Sequence, residues 1–405
     1  MLYDMVLKNA TVIDPAQQIH RICDVAVTGE RIAAVGTDLA GRQSEDLRGM
    51  ILTPGWIDIH AHIYAGATTW GIQADALCLA TGVTTIVDAG SPGWANFLAF
   101  REFIAQPART QILTFVHICG IGLTYGPVGE LHDMRFADAE RTAFAIDQWP
   151  DTCVGVKVRQ GRSQVGDNGV EPLRLAVLAG TWSQTPVMVH IGAGVPLPEV
   201  LELMRPADIA THCYQGVGDA IVDAEGQVIP AVWEARQRGV LFDVGHGGGS
   251  FRFDVAKQAL GQGFPADVIS TDWHVHSLGD PVESLPETAS KLLHLGVELP
   301  EVVRQTTAAA AAAIGQGGEL GTLAVGTVAD LAAFAVRQGQ FNFRDVSGQL
   351  EVGRQKIEPV LTVRAGRVYR PDELAEEVAE ARRRAQFMST FTRGDLAALG
   401  WEPHR

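Results

Sequence analysis

The alternation of apolar and polar positions divides the chain into three parts. Residues 1–50 contain short apolar runs separated by turn residues such as Asp14-Pro15, a pattern typical of a small all-β unit. From about residue 51 to 316, longer apolar runs alternate with segments of helical composition. Short strand-like runs return around Thr327–Ala335 and Val360–Val368, so we expect the two outer parts to pair into one β unit.

The middle part predicts a parallel sheet that is buried on both faces. Its runs are almost continuously apolar, as in strands joined by crossover helices. Eight runs in about 260 residues fit a closed (β/α)₈ barrel. The alternative is an open doubly wound sheet, which would give no reason for polar residues to end so many strands. The eight runs are Leu52–His62, Thr84–Ala89, Ile112–Cys119, Val154–Val158, Pro186–His190, Ile209–Cys213, Val240–Gly245 and Val268–Asp272.

We therefore predict an α/β protein with a TIM barrel and a small β-sandwich domain built from both ends of the chain. The barrel spans residues 53–317, and the β-sandwich combines residues 1–52 with 318–370. The last barrel helix is expected at Glu301–Ile314, where an alanine run favours a helix. Residues 371–405 form a third unit, a C-terminal tail.

The tail predicts a charged helix over Pro371–Gln386, followed by an irregular end that contains Phe387, Phe391 and Trp401. A helix of this kind packs on the surface or forms a subunit contact, and we expect a homo-oligomer.

Composition narrows the class of protein. The formal charge of −15 argues against nucleic acid or an anionic membrane surface as a partner, because both attract Lys/Arg clusters. The five cysteines are an odd number without a CxxC pair, which favours a reduced protein inside the cell. No signal segment or apolar stretch of membrane-spanning length is evident. We therefore expect a cytoplasmic protein with no membrane partner.

Candidate chemistry lies at the ends of the predicted strands. In a barrel of this type, functional side chains project from the C-terminal ends of the strands. Histidine and aspartate at these positions are ligands for divalent ions, and two histidines one residue apart on a strand point to the same side. Taken together, the strand ends predict a metal centre. The residues are His60, His62, Lys157, His190, His212 and Asp272.

Lys157 requires a separate explanation, because a protonated amine repels a cation. If CO₂ carboxylates this amine, the resulting carbamate is an anionic oxygen ligand that can bridge two metal ions. A lysine beside a strand is otherwise most often a surface residue whose stem packs on apolar neighbours.

The motifs resemble those of the amidohydrolase superfamily. The resemblance rests on the His60-Ala61-His62 strand after Pro54-Gly55, the Gly-x-Lys strand, two later single histidines and Ser270-Thr271-Asp272. The segment Gly321–Leu331 is similar to the return from barrel to β-sandwich in that family. The resemblance covers about 370 residues of the chain. The implied branch has a carboxylated lysine between two divalent ions and contains dihydroorotase, hydantoinase and deacylases.

The resemblance implies a role for each ligand. Asp272 would also accept a proton from a metal-bridging hydroxide and pass it to the leaving group during hydrolysis of an amide or ester. Zinc is the expected metal, although manganese, cobalt or iron would suit the same residues. The implied assignment is His60, His62 and Asp272 on the buried ion, His190 and His212 on the outer ion, and carboxylated Lys157 between them.

Four further residues are candidates for substrate binding. Arg159 and Arg162 follow Lys157, and a guanidinium group suits a substrate carboxylate; alternatively they neutralise the carbamate and nearby aspartates. His246 lies in a glycine-rich stretch after the seventh predicted strand, where it contacts substrate or supports another residue. Tyr125 can donate a hydrogen bond to an oxyanion. His274 and His276 are interpreted as supporting residues.

The sequence thus predicts a metal-dependent hydrolase, most consistent with a deacetylase or deacylase of a small N-acyl amino acid or O-acyl hydroxy acid. The segment Thr211–Gly216 resembles a deacetylase branch of the family. The main alternative is a cyclic amide hydrolase similar to dihydroorotase or hydantoinase. A scaffold protein without activity would not need all six ligands. A metal-free barrel that binds phosphate at Gly247–Ser250 would leave the histidines unexplained.

Overall fold

The computed structural model describes residues 2–392, so the part of the predicted tail that contains Trp401 lies outside the described residues. Its strands, in chain order, are β1 (Tyr3–Asp14), β2 (Ile19–Thr28), β3 (Arg31–Gly36), β4 (Gly41–Asp46), β5 (Ile51–Pro54), β6 (Trp56–Ala61), β7 (Val83–Gly93), β8 (Gln111–His117), β9 (Cys153–Gln160), β10 (Val187–Ile191), β11 (Ile209–Thr211), β12 (Leu241–Asp243), β13 (Leu331–Arg344), β14 (Leu350–Arg364) and β15 (Arg367–Tyr369).

The α-helices alternate with the strands of the middle part. They are α1 (Asp75–Leu79), α2 (Phe97–Phe100), α3 (Ala139–Gln148), α4 (Arg162–Val165), α5 (Glu171–Trp182), α6 (Leu197–Leu203), α7 (Pro230–Gln237), α8 (Phe253–Gly261), α9 (Leu285–His294), α10 (Leu299–Thr306), α11 (Ala308–Ala313) and α12 (Ala375–Thr392). Within residues 2–392, no helix combines the length and the hydropathy that crossing a lipid bilayer requires.

The outer β parts join into one eight-stranded sheet, as the sequence pattern indicates. Its order is β15-β14-β13-β5-β1-β2-β3, with β4 also paired to β1. Strand β5 connects the two ends of the chain, because it pairs in parallel with β1 and antiparallel with β13. Asp14 strengthens this junction, since its carboxylate accepts hydrogen bonds from the backbone N–H of Leu323 and the hydroxyl of Thr322.

Seven strands of the middle part form a parallel sheet in the order β12-β11-β10-β9-β8-β7-β6. Residues 268–273, here called the bridging segment, form backbone hydrogen bonds to both edge strands of this sheet. At β6, the N–H of Asp272 donates to the carbonyl of His60, and the N–H of His62 donates to the carbonyl of Trp273. At the other edge, Val268 forms a parallel bridge with Asp243 of β12. The sheet is therefore curled until its edges meet at one segment.

The structure corrects several predicted boundaries. The run Leu52–His62 is two strands, because the chain leaves the outer sheet and enters the parallel sheet at Gly55. A Cβ atom there would lie 2.1 Å from the side-chain oxygen of Thr84, so only glycine allows this close approach. The predicted eighth strand, Val268–Asp272, forms bridges without being a regular strand.

Two helix predictions also need correction. The helix expected at Glu301–Ile314 is interrupted at Thr307, whose backbone leaves the helical region, and this separates α10 from α11. Helix α12 continues through Phe387 and Phe391, which were expected in an irregular end. Both rings lie on one face of the helix and stack on each other, as expected for residues four apart.

Apolar packing leaves one end of the parallel sheet free for polar side chains. Inside the curled sheet, residues such as Ile57 and Phe115 form a cluster with Ala310, Ala311 and Ile314 at the end of the middle part. The alanine-rich α11 therefore fills one end of the interior. The carboxyl ends of the strands, which carry the predicted ligands, surround a cavity.

Candidate active site

A cavity of about 360 Å³ brings the predicted metal ligands together. It contains all six of them, together with an arginine, a tryptophan, two further histidines and a glycine-rich segment. The lining residues are His60, His62, Trp70, Lys157, Arg159, His190, His212, Gly248, Gly249, Ser250, Asp272, His274 and His276.

His60 is held by a chain of hydrogen bonds. Its Nδ1 lies 2.8 Å from the hydroxyl of Thr211, and that hydroxyl donates to the carboxylate of Asp243 at 2.7 Å. The hydroxyl proton is committed to Asp243, so Nδ1 is the donor to Thr211 and Nε2 carries the lone pair. Burial, and secondarily the charge of Lys157, holds the pKa of His60 well below its ordinary value. His60 is therefore a neutral imidazole whose Nε2 is available to a metal ion.

His62 is oriented by a neighbouring strand end. Its Nδ1 lies 3.0 Å from the hydroxyl of Ser91, and the backbone N–H of Ser91 donates to the carboxylate of Asp88. Asp88 also accepts the backbone N–H of Ile63, and burial raises the pKa of this carboxyl to about 6. Together these bonds fix the end of β7 against the end of β6.

His212 and Asp272 present atoms that have no hydrogen-bond partner within residues 2–392. His212 donates from Nδ1 to the carbonyl of Gly245 at 2.6 Å, which leaves a buried lone pair on Nε2. The Oδ1 atom of Asp272 is also buried and has no donor. Both residues have positive φ angles, +75° for His212 and +48° for Asp272. Such backbone strain in residues other than glycine is concentrated at functional sites.

The spacing of these atoms fits a divalent cation. One ligand atom from each of His60, His212 and Asp272 lies within 4.8 Å of the other two. The Oδ1 atom of Asp272 lies 3.4 Å from Nε2 of His60 and 3.3 Å from Nε2 of His62. The imidazole of His190 stacks edge-on against His212, with ring centroids 4.4 Å apart. Neutral imidazoles and a carboxylate are the ligand types that zinc and related ions accept.

Lys157 is fully buried beside these ligands. Its Nζ lies 3.2 Å from Nε2 of His60. Burial lowers the pKa of Lys157 to about 7, although the carboxylates of Asp272 and Asp243 act in the opposite direction. A substantial fraction of this amine is thus uncharged at neutral pH, and an uncharged amine is the form that reacts with CO₂.

Arg159 lines the same cavity and is held by Glu130. Its Nε and Nη2 atoms donate to the two carboxylate oxygens of Glu130, each at 2.7 Å, and both side chains are buried. Burial alone would raise the pKa of Glu130, but the charge and hydrogen bonds of Arg159 outweigh it and hold this pKa well below its ordinary value. The guanidinium also lies 5.3 Å from the ring of Trp70.

Replacement of Glu130 by glutamine is expected to destabilise the fold by about 3–5 kcal/mol, because it leaves the buried guanidinium of Arg159 without its counter-charge. Urea unfolding at pH 7 measures this loss. The carboxylate of Asp167 pairs with Arg162 at the surface, so Asp167→Asn is a control expected to leave the unfolding free energy unchanged. Equal effects of the two substitutions would contradict a special contribution from the buried pair.

Three predicted substrate residues lie outside the cavity lining. His246 is buried and accepts a hydrogen bond from Lys291 at 2.9 Å, while its ring stacks on Phe251. The guanidinium of Arg162 pairs with Asp167 at the surface, and Tyr125 is 55% exposed on the loop after β8. Arg162 begins α4, beyond the end of β9, so proximity to Lys157 in the sequence did not place it in the cavity lining.

Several site residues were not found by the sequence analysis. Glu130 and Trp70 lie on long loops without a motif, and Asp88 and Asp243 interrupt apolar strands. A buried carboxylate within an apolar run was the signal available for the last two, since buried charges need partners.

A larger hollow of about 830 Å³ lies between α12 and the parallel sheet, but none of the six predicted ligands lines it.

Comparison with known proteins places this site in a family. No protein-family model matches the chain. A deacetylase from Enterococcus faecalis (strain ATCC 700802 / V583) is 34% identical over 376 residues, which cover 91% of this chain and 100% of that protein. The crystal structure of an adenine deaminase aligns with a TM-score of 0.86 at 34% identity, covering 91% of this chain and 100% of that one. A dihydroorotase structure aligns with a TM-score of 0.82 at 32% identity, covering 90% of this chain and 97% of that one. The chain therefore belongs to the amidohydrolase superfamily of metal-dependent hydrolases, in the group that contains this deacetylase.

Proposed function

We propose that the protein removes a small acyl group, such as acetyl, from an N-acyl amino acid or an O-acyl hydroxy acid. The observation that carries this proposal is the position of Arg159. Glu130 takes two of its guanidinium nitrogens, and the third, Nη1, has no hydrogen-bond partner within residues 2–392. Because the arginine lines the same cavity as the metal ligands, it can bind a carboxylate beside the scissile bond.

The six ligands are proposed to hold two divalent ions, most suitably zinc. His60, His62 and Asp272 would bind one ion, His190 and His212 the other, and a carbamate on Lys157 would lie between them. The unpartnered Nε2 of His212 and Oδ1 of Asp272 support this assignment. When bound, the ions lower the pKa of water to about 7 and polarise the substrate carbonyl.

Residues of the chain bind the substrate and transfer the proton. Arg159 orients the substrate through its carboxylate. Asp272 accepts a proton from the attacking water on its carboxylate and transfers it to the leaving nitrogen or oxygen. The water oxygen adds to the acyl carbon, the bond to the leaving group breaks, and the products are a free carboxylic acid and an amine or alcohol.

A ring-opening cyclic amide hydrolase is the second candidate, and the dihydroorotase structure supports it. The same metal ligands would serve both reactions, so the residues that bind the substrate must distinguish one reaction from the other. An acyl group on a carboxylate-bearing leaving group would use Arg159 directly, and the 34% identity to a deacetylase over 91% of this chain favours deacylation.

We also infer that the bridging segment acts as the eighth strand of a (β/α)₈ barrel, since it is bonded to both edges of the parallel sheet. The domain limits predicted from the sequence, a homo-oligomeric state and a cytoplasmic location belong to the same proposal. The five cysteines form no disulfide among residues 2–392, which is compatible with a reduced location.

The proposal predicts about two metal equivalents per chain when the protein is purified without chelator, and a CO₂ adduct in the native mass. The metal-loaded enzyme is expected to hydrolyse N-acetyl amino acids or O-acetyl hydroxy acids faster than cyclic amides or adenine. Elemental analysis, native mass spectrometry and a substrate panel measure these three quantities. One metal or none, or preferential ring opening, would contradict the proposal.

A further inference from the structure

His274 lies on the wall of the cavity, two residues after Asp272, in a position that the metal site leaves unused. Its ring centroid is 4.7 Å from that of Trp70 and 6.2 Å from that of His62. The residue is 5% exposed and lines the cavity. The ring thus lies beside both the ligand group and the indole that Arg159 also contacts.

Local hydrogen bonds determine which nitrogen of His274 carries the proton. The backbone N–H of His276 donates to Nδ1 of His274 at 3.1 Å. A ring nitrogen that accepts a hydrogen bond has no proton, so the proton of this imidazole is on Nε2. The backbone N–H of His274 is itself fixed by the hydroxyl of Ser277 at 3.0 Å. The turn therefore holds a neutral imidazole with Nε2–H as its only ring donor.

Nothing in residues 2–392 accepts a hydrogen bond from this Nε2. A Cβ atom at Gly248 would lie 3.7 Å from Cε1 of His274, so the glycine keeps side-chain atoms away from that edge of the ring. The donor therefore remains available to a molecule in the cavity.

We propose that Nε2–H of His274 binds the carboxylate of the substrate together with Arg159. This inference rests on the proposed function, because it requires an acid-bearing substrate. The charge of Arg159 is already engaged by Glu130, so the carboxylate needs a second donor. A neutral imidazole supplies one without placing another positive charge beside the metal ions.

Two substitutions separate binding from support of the turn. In His274→Asn, the amide oxygen replaces Nδ1 as acceptor for the N–H of His276, but no donor reaches the position of Nε2. In His274→Gln, the longer amide places a donor near Nε2 and loses the acceptor at Nδ1. We expect His274→Asn to lower kcat/KM about 10- to 100-fold, mainly through KM, and His274→Gln to retain most of the activity.

The assay substrate is the N-acetyl amino acid or O-acetyl hydroxy acid that wild type hydrolyses fastest. The control substrate is the same compound with its carboxylate converted to a primary amide. Both variants are expected to hydrolyse the control substrate at equal rates, because it has no carboxylate for residue 274 to bind. Calorimetric binding of the deacylated amino or hydroxy acid, which keeps the substrate carboxylate, should weaken in His274→Asn alone, at unchanged metal content.

Full activity of His274→Asn with loss in His274→Gln would overturn the inference and assign His274 to the turn. An equal loss on acid and amide would also overturn it. If wild type hydrolyses no acylated acid, the proposed function itself fails, and this outcome is seen before either variant is made.

Discussion

Replacement of Lys157 by alanine is expected to lower kcat/KM by at least about 1,000-fold, since the carbamate proposed between the ions is lost and several kcal/mol of transition-state stabilisation goes with it. Lys157 is fully buried beside His60, and among residues 2–392 the carboxylate that lines the same cavity, Asp272, is already assigned to the buried ion. Added acetate or propionate is expected to restore part of the activity, because alanine leaves a space in which a carboxylate can bind. Hydrolysis rates measured with and without these acids test both expectations.

Lys157→Met is the matched control for this experiment. Its side chain has nearly the volume of lysine and fills the space, so neither acid should restore activity. The fold is expected to survive, since burial lowers the pKa of Lys157 to about 7. Between that pH and the ordinary pKa of lysine, the unfolded chain binds a proton that the folded chain does not, which disfavours folding. Methionine removes this cost, so the metal-free variant should melt no lower than metal-free wild type. Activity of Lys157→Ala near that of wild type would refute the bridging role.

Asp272→Asn is expected to reduce kcat by about 100- to 10,000-fold while KM changes little, because the amide keeps the shape of the carboxylate but cannot accept the proton of the attacking water. The unpartnered Oδ1 of Asp272 lies within 3.4 Å of both His60 and His62, at the centre of the ligand group. Steady-state kinetics together with elemental analysis measure this effect.

Ser277→Ala provides the comparison for Asp272. The hydroxyl of Ser277 donates to the backbone carbonyl of Asp272 at 3.0 Å, so its removal loosens the same segment and leaves the carboxylate intact. We expect kcat to fall less than about tenfold in this variant. Similar losses in the two variants would mean that Asp272 acts by holding the segment rather than by transferring a proton. Retained activity in Asp272→Asn would exclude both roles.

The sequence was sufficient to predict that the proposed ligands lie together, because strand geometry brings the carboxyl ends of parallel strands to one edge. His60, His190 and Asp272 are far apart in the chain, yet each ends an apolar run, and the cavity contains all of them. The outer sheet was also predictable, since its short runs and turn residues define strands locally.

The substrate wall was not predictable, because it depends on loops. Trp70 reaches the cavity, and Glu130 reaches Arg159, through long connections whose paths are set by packing, such as the contact of Trp70 with Gly126. His246 was expected to contact substrate or to support another residue; its Nε2 lies 2.9 Å from Nζ of Lys291 of α9, and it is not among the residues that line the cavity. No periodicity in the sequence records such contacts between distant segments.

The discontinuous outer sheet has a consequence for synthesis of the protein on the ribosome. Strand β5 is buried along its whole length, and β13, which covers one of its edges, is made only after the entire parallel sheet. Until then, the nascent chain exposes an apolar edge with unpaired N–H and C=O groups, which is a site for aggregation. A ribosome-associated chaperone that shields this edge would therefore raise the yield of folded protein, and the order of translation becomes part of how the fold is reached.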